Sequence, residues 1–201
     1  MNISQSALKK ALKTNGYPLF TGDLNVTLVG VRSADTSANS FNDVLCVLVE
    51  LDGKKRLFKY PMTADPGTFY RENPLNVDGT AVLVPGHYKS CWRLGAHRGK
   101  YRALVQHGLM SVYRDSNKNR SIELDKSTIQ SGFFGINLHR ASVNNYSLQV
   151  DKWSAGCQVL ANPDDFEELM DLLEQSAAKY GNSFSYTLLD EACLTPEGKQ
   201  P

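Results

Sequence analysis

Apolar and polar residues change period twice along the chain. Over residues 3–14, Ile3, Ala7, Leu8, Ala11 and Leu12 recur on one stripe with lysines opposite, which predicts a short amphipathic helix ended by Asn15-Gly16. From about residue 23 the pattern becomes strand-like. Residues 24–31 read as a strand, and 44–51 with 56–62 as a hairpin about Asp52-Gly53. A short strand at 80–84 is stopped by Pro85-Gly86, and further strand-like pieces lie at 87–93, 102–106, 109–114 and 133–138. The stretch 63–79, with Asp65-Pro66-Gly67 and Asn73-Pro74, reads as a long surface loop. After Cys157 the period returns to helical over 163–178. Asn162 suits the N-cap, Pro163 the first turn, and Asp164 and Asp165 the positive helix end. Phe166, Leu169, Met170, Leu173 and Ala177 give that helix an apolar face for a sheet, and 183–189 reads as a last strand. The pattern predicts a mainly β (α+β) fold with a helix at each end: an N-terminal helical extension 1–22, a main domain 23–192 and a tail 193–201.

Composition narrows the partners. At 201 residues, 41% hydrophobic and 21% charged, the chain can bury one substantial core. A net charge of +1 argues against nucleic acid or an anionic membrane as partner. No apolar run approaches the roughly 18 residues that span a bilayer. The opening residues lack the continuous apolar core of a secretory signal, so the chain is expected to be made in the cytoplasm. The cysteines show no metal-ligand spacing, and a disulfide framework is not expected. Cys46 lies in an apolar run and Cys91 beside Trp92, both suited to packing, and Cys193 lies near the tail. Only Cys157 has a polar, glycine-flanked setting.

That setting is Ser154-Ala155-Gly156-Cys157, preceded by His139 with fourteen residues between His139 and Ser154. A free thiol of pKa about 8.5 is mostly protonated at neutral pH, so a nucleophilic cysteine needs a base beside it. His139 closes the run Gly135-Ile136-Asn137-Leu138 and is read as that base; the alternative is a structural histidine satisfied by backbone groups. Gly156 allows a tight turn, and the amides of Ala155, Gly156 and Cys157 are candidates for oxyanion binding, worth about 3–4 kcal/mol per donor. Ser154 is read as bonding the turn's backbone. Trp153 is either a pocket wall or core. The basic stretch 92–102 offers Arg98 to a substrate carboxylate, against the reading of a solvated basic loop. Asp115 to Ser121 begins like a calcium loop, yet Arg120 replaces the required Gly and Lys126 the bidentate Glu, which favours a polar hairpin turn. His87, His97 and His107 lack carboxylate companions, so no zinc site is read, and no cofactor is implied.

On these residues the chain resembles the L,D-transpeptidase catalytic domain family (YkuD-like), whose signature is a histidine followed after fourteen to seventeen residues by Ser/Thr-His-Gly-Cys. Lys59-Tyr60-Pro61-Met62-Thr63 and Pro85-Gly86-His87-Tyr88 are similar to further family segments, so the likeness runs over roughly 44–175. It implies a YkuD-like β-sandwich or barrel in which Cys157 attacks a peptidoglycan stem peptide at an L,D bond. The acyl-enzyme then passes to an amine (L,D-transpeptidase) or to water (L,D-carboxypeptidase/endopeptidase). It also implies that the carbonyl of Arg140 orients the histidine ring. Ala155 departs from the motif's second histidine. Gln158-Val159 stands where the family has an apolar residue and then Arg, a role for which Arg140 or Arg98 would have to substitute. With no signal segment read at the start, delivery to the wall would use phage lysis, a virion or a secretion machine. Two readings keep the same residues: a cysteine peptidase or amidase with another substrate, and a non-catalytic wall-binding or structural virion domain.

Overall fold

The computed structural model describes residues 1–35 and 39–194. Its strands are β1 (Thr27–Arg32), β2 (Asp43–Leu51), β3 (Lys54–Thr63), β4 (Thr80–Leu83), β5 (Gly86–His97), β6 (Tyr101–Gln106), β7 (Met110–Asp115), β8 (Gln130–Gly132), β9 (Leu138–Arg140), β10 (Gln158–Leu160) and β11 (Phe184–Asp190). Helices α1 (Gln5–Thr14), α2 (Thr68–Glu72) and α3 (Pro163–Tyr180) complete the set with two short 3-10 turns. Eight strands close a barrel in the order β1-β11-β5-β6-β9-β10-β3-β2, and β4-β7-β8 form a second, smaller sheet. The fold is mainly β. Pairs β1/β11 and β9/β10 are parallel. No helix among the described residues is long and apolar enough to cross a membrane.

The hairpin β2–β3 turns at Asp52 (φ 51°) and Gly53 (φ 71°), the left-handed pair that a two-residue turn between twisted strands needs. Inward residues such as Leu28, Leu45, Val47, Met62, Leu104, Leu138 and Leu160 share one core with Phe166, Leu169, Met170 and Leu173 of α3. The outward residues Val29, Val31, Cys46 and Leu48 are buried too, beneath Leu8, Ala11 and Leu12 of α1 and Ile3 just before it. Strands covered on both faces read as continuous apolar runs, which is why β1 and β2 show little alternation in sequence. Asn162 caps α3 by accepting from the Asp164 amide at 3.1 Å. The distal end of the tail, 195–201, lies outside the described residues.

Three expectations need correction. The stretch 63–79 is not a surface loop throughout: it contains α2, whose Arg71 is buried in an ion pair with Asp115 at 2.8 Å and also donates to the Ser121 carbonyl. That commits Asp115, the first oxygen donor of the candidate calcium loop, to an arginine. The basic stretch 92–102 is not a loop but a hairpin, with β5 running on to His97 and only Arg98-Gly99-Lys100 between the strands. Residues 133–137 do not pair as a strand, because side chains take the backbone groups a strand would use. Gln106 Oε1 accepts from the amides of Phe134 and Ile136, each at 2.9 Å, and Trp92 Nε1 donates to the Ile136 carbonyl at 2.7 Å.

Candidate functional site

The turn before β10 is built on contacts with neighbouring backbone. Ser154, fully buried, accepts from the Gly156 amide at 3.1 Å and donates to the Cys157 carbonyl at 2.9 Å through one hydroxyl. Its own carbonyl accepts from the Gly67 amide at 3.0 Å. Gly156 has φ 124°, and a Cβ there would stand 2.5 Å from the carbonyl oxygen of Ala81 in β4. Only glycine fits between the turn and the second sheet. Inside the barrel, Gln158 receives the Tyr186 hydroxyl at 2.8 Å and donates to the Ala64 carbonyl at 3.4 Å, which fixes the first residue of β10. Gly30 makes that possible, since a Cβ on it would overlap Tyr186. The residue that stands where the resemblance led one to look for an apolar side chain is therefore a structural polar clamp.

β9 lies parallel to β10, with Val159 paired to His139. Cys157 immediately precedes β10, two residues before Val159, which sets it diagonal to His139, on the order of 8 Å between Cα atoms from strand spacing and rise. His139 is 4% exposed and its Nδ1–H donates to the Arg140 carbonyl at 2.8 Å, which leaves Nε2 as the acceptor nitrogen. The Tyr101 hydroxyl stands 3.3 Å from the same Nδ1 and 3.4 Å from the same carbonyl. The carbonyl of Arg140 thus orients the ring.

The resting thiol points elsewhere. Cys157 is half-buried, its S–H donates to the Gly135 carbonyl at 3.3 Å, and among the described residues no hydrogen bond joins Sγ to His139. His139, read as the base of this thiol, is therefore not joined to it by a hydrogen bond in the resting structure. Electrostatics agree with the geometry. Burial, chiefly, with repulsion from His97, Arg98 and Arg140, lowers the His139 pKa to about 3, although the bond to the Arg140 carbonyl works the other way. Burial also raises Cys157, partly offset by a backbone hydrogen bond from Asn137 and by Arg98. Both partners are neutral at pH 7. Cys46 and Cys91, deeper in the cores, are pushed up to about 12 by burial and are inert packing thiols.

Cys157 and Ala155 lie in a cleft of about 480 Å³ between the two sheets, walled by Thr80, Ala81 and Arg114 on one side and by His97, Arg98 and Asn137 on another, with Tyr70, Leu75, Phe133 and Phe134 at its apolar parts. Of the three amides expected to receive an oxyanion, that of Gly156 is already committed to Ser154, which leaves those of Ala155 and Cys157. Arg98, at φ 51° in the β5–β6 turn, lines the cleft and makes no ion pair among the described residues. Arg140 does not reach the cleft as a substrate-binding cation: its guanidinium lies 4.1 Å over the Tyr101 ring and 4.0 Å from Glu167. Trp153 is 45% exposed in a separate depression with Phe69 and Lys152, so it is neither core nor a wall of the Cys157 cleft.

His97 was not legible as a site residue. It faces Tyr101 directly across the hairpin, and its ring stacks on His139 with centroids 4.1 Å apart and planes at 27°. The available signal was an aromatic and a histidine four residues apart about an Arg-Gly turn, which places both on one face of a hairpin. Comparison of the chain with protein-family models, with curated proteins and with solved structures gave no match in any of the three.

Proposed function

We propose that this protein is a cysteine acyl-transfer enzyme acting on peptidoglycan stem peptides, as an L,D-transpeptidase or L,D-carboxypeptidase/endopeptidase of YkuD-like type. The observation that carries the reading is the glycine turn clasped against β4, which sets Cys157 in a cleft one strand from a histidine whose free nitrogen is Nε2. Because thiol and imidazole rest neutral, attack is general-base catalysed rather than by a stored thiolate. A rotation about the Cys157 side chain breaks the bond to the Gly135 carbonyl and turns S–H toward His139. As sulfur bonds to the substrate carbonyl carbon, the proton moves to Nε2 and the Arg140 carbonyl holds the resulting imidazolium through Nδ1–H. The amides of Ala155 and Cys157 take the oxyanion. His139 returns the proton to the departing amine, and the thioester is then resolved by an amine or by water. Arg98, which lines the cleft and makes no ion pair among the described residues, receives a substrate carboxylate.

Incubation with purified sacculi and tetrapeptide muropeptides, with products identified by mass, tests this. Cross-linked or trimmed products are expected from the native chain and none from Cys157→Ala or His139→Asn. The bond from the resting thiol to the Gly135 carbonyl favours a second reading, a non-catalytic wall-binding domain. Sacculus binding by native chain and Cys157→Ala alike, without products from either, would decide for it.

A further inference from the structure

A chain of hydrogen bonds fixes the tautomer of His97, a residue of the cleft. The backbone amide of Gln106 donates to Asn137 Oδ1 at 2.8 Å, so the Asn137 amide has one orientation. Its Nδ2 then donates to His97 Nδ1 at 3.2 Å, which makes Nδ1 an acceptor and puts the ring proton on Nε2. His97 lines the cleft together with Asn137 and Cys157, and with Nδ1 bonded to Asn137 the ring nitrogen left to donate is Nε2–H. His139 next to it has the opposite tautomer, proton on Nδ1 and acceptor at Nε2. Two stacked imidazoles therefore offer a fixed acceptor and a fixed donor, and one of them, His97, lines the cleft that holds Cys157.

We propose that His97 is a substrate-binding residue whose Nε2–H donates to the oxygen of the acyl group that Cys157 attacks, supplementing the amides of Ala155 and Cys157. This rests on the acyl-transfer reading of Cys157. The amide of Gly156 is spent on Ser154, which leaves a place in this role for a further donor. Burial and the neighbouring Arg98 keep His97 uncharged, so it serves as a neutral donor rather than as a carboxylate-binding cation.

The test has two parts. In ¹⁵N imidazole NMR at neutral pH, His97 should show a protonated Nε2 with bare Nδ1, and His139 the reverse; a protonated His97 Nδ1 overturns the proposal. In a Cys193→Ser background, Cys157 is then acylated with p-nitrophenyl acetate and, separately, alkylated with iodoacetamide. His97→Phe keeps a stacking ring without the donor and should slow acylation about a hundredfold or more while alkylation stays within about twofold, a loss of the size expected for one oxyanion donor. His97→Gln, with an amide nitrogen near the Nε2 position, should recover most of the acylation rate. Equal acylation in His97→Phe, or equal loss of both reactions, overturns the role of His97 alone. Native chain that alkylates but never acylates overturns the acyl-transfer reading, and the role with it.

Discussion

Gly156→Ala isolates the contact on which the Cys157 turn depends. The new methyl carbon would sit 2.5 Å from the Ala81 carbonyl oxygen and 3.3 Å from its carbon, backbone atoms of β4 that cannot rotate away. Holding a non-glycine residue at φ 124° costs about 1–3 kcal/mol, and overpacking against fixed atoms a further 1–3. The centre of that range, about 4 kcal/mol, corresponds to a fall in Tm of about 8–16 °C for a chain of this size. Gly53→Ala supplies the control: its φ is 71°, but nothing lies within 4 Å of the added carbon, so it meets backbone strain alone, about 1–2 kcal/mol. Urea unfolding and thermal melts measure both. Acylation of Cys157 should fall at least about tenfold in Gly156→Ala at temperatures where the fold persists, because the turn or β4 must yield. A Gly156→Ala protein no less stable than Gly53→Ala, with unchanged acylation, would refute the reasoning.

The remaining predictions concern charge. His139 has a folded pKa near 3 against about 6.5 unfolded, so its share of stability is present above pH 6.5 and is lost as pH falls toward 3. Relative to His139→Asn, the native chain should lose about 1.4 kcal/mol per pH unit below 6.5 in urea titrations; parallel slopes would count against a buried neutral ring. Iodoacetamide labelling of Cys157 should climb steadily with pH beyond 8, since burial raises the thiol; a plateau between pH 5 and 8 would reveal a thiolate–imidazolium pair instead. Asp115→Asn should cost about 3–5 kcal/mol in unfolding free energy by stranding Arg71 in the interior, whereas Arg71→Met with Asp115→Leu together should cost less than either single change. Millimolar calcium should leave Tm unchanged, since Asp115 is committed to Arg71; a saturable rise would reinstate the calcium reading of 115–121.

Local chemistry made much of the fold readable. Asn162-Pro163 before a helical period marks α3, and Asp52-Gly53 between apolar runs marks the β2–β3 hairpin, because each signal is a short-range steric or hydrogen-bonding requirement. The segment 133–137 misled for the opposite reason. Its alternation is that of a strand, but its partners are Gln106 and Trp92, side chains distant in sequence. Ser154, Gly156, His139 and Cys157 were visible as a spacing; His139 lies in β9, and the other three form the turn that leads into the adjacent β10. The tautomer chain from Gln106 through Asn137 to His97 was not visible, since it depends on barrel register rather than on neighbours in the chain. Trp153 and Arg140 show the converse. Proximity to Cys157 or His139 in sequence sent neither side chain into the cleft.

The cylinder closes through staves of unequal length. β9, which carries His139, and β10, which Cys157 immediately precedes, have three residues each, and they stand between β6 of six and β3 of ten. Such a seam can part and reseal by losing a handful of ladder bonds while the long hairpin stays zipped, so local opening there has a low threshold. The proposed swing of the sulfur from the Gly135 carbonyl toward the imidazole falls beside this short-stranded wall.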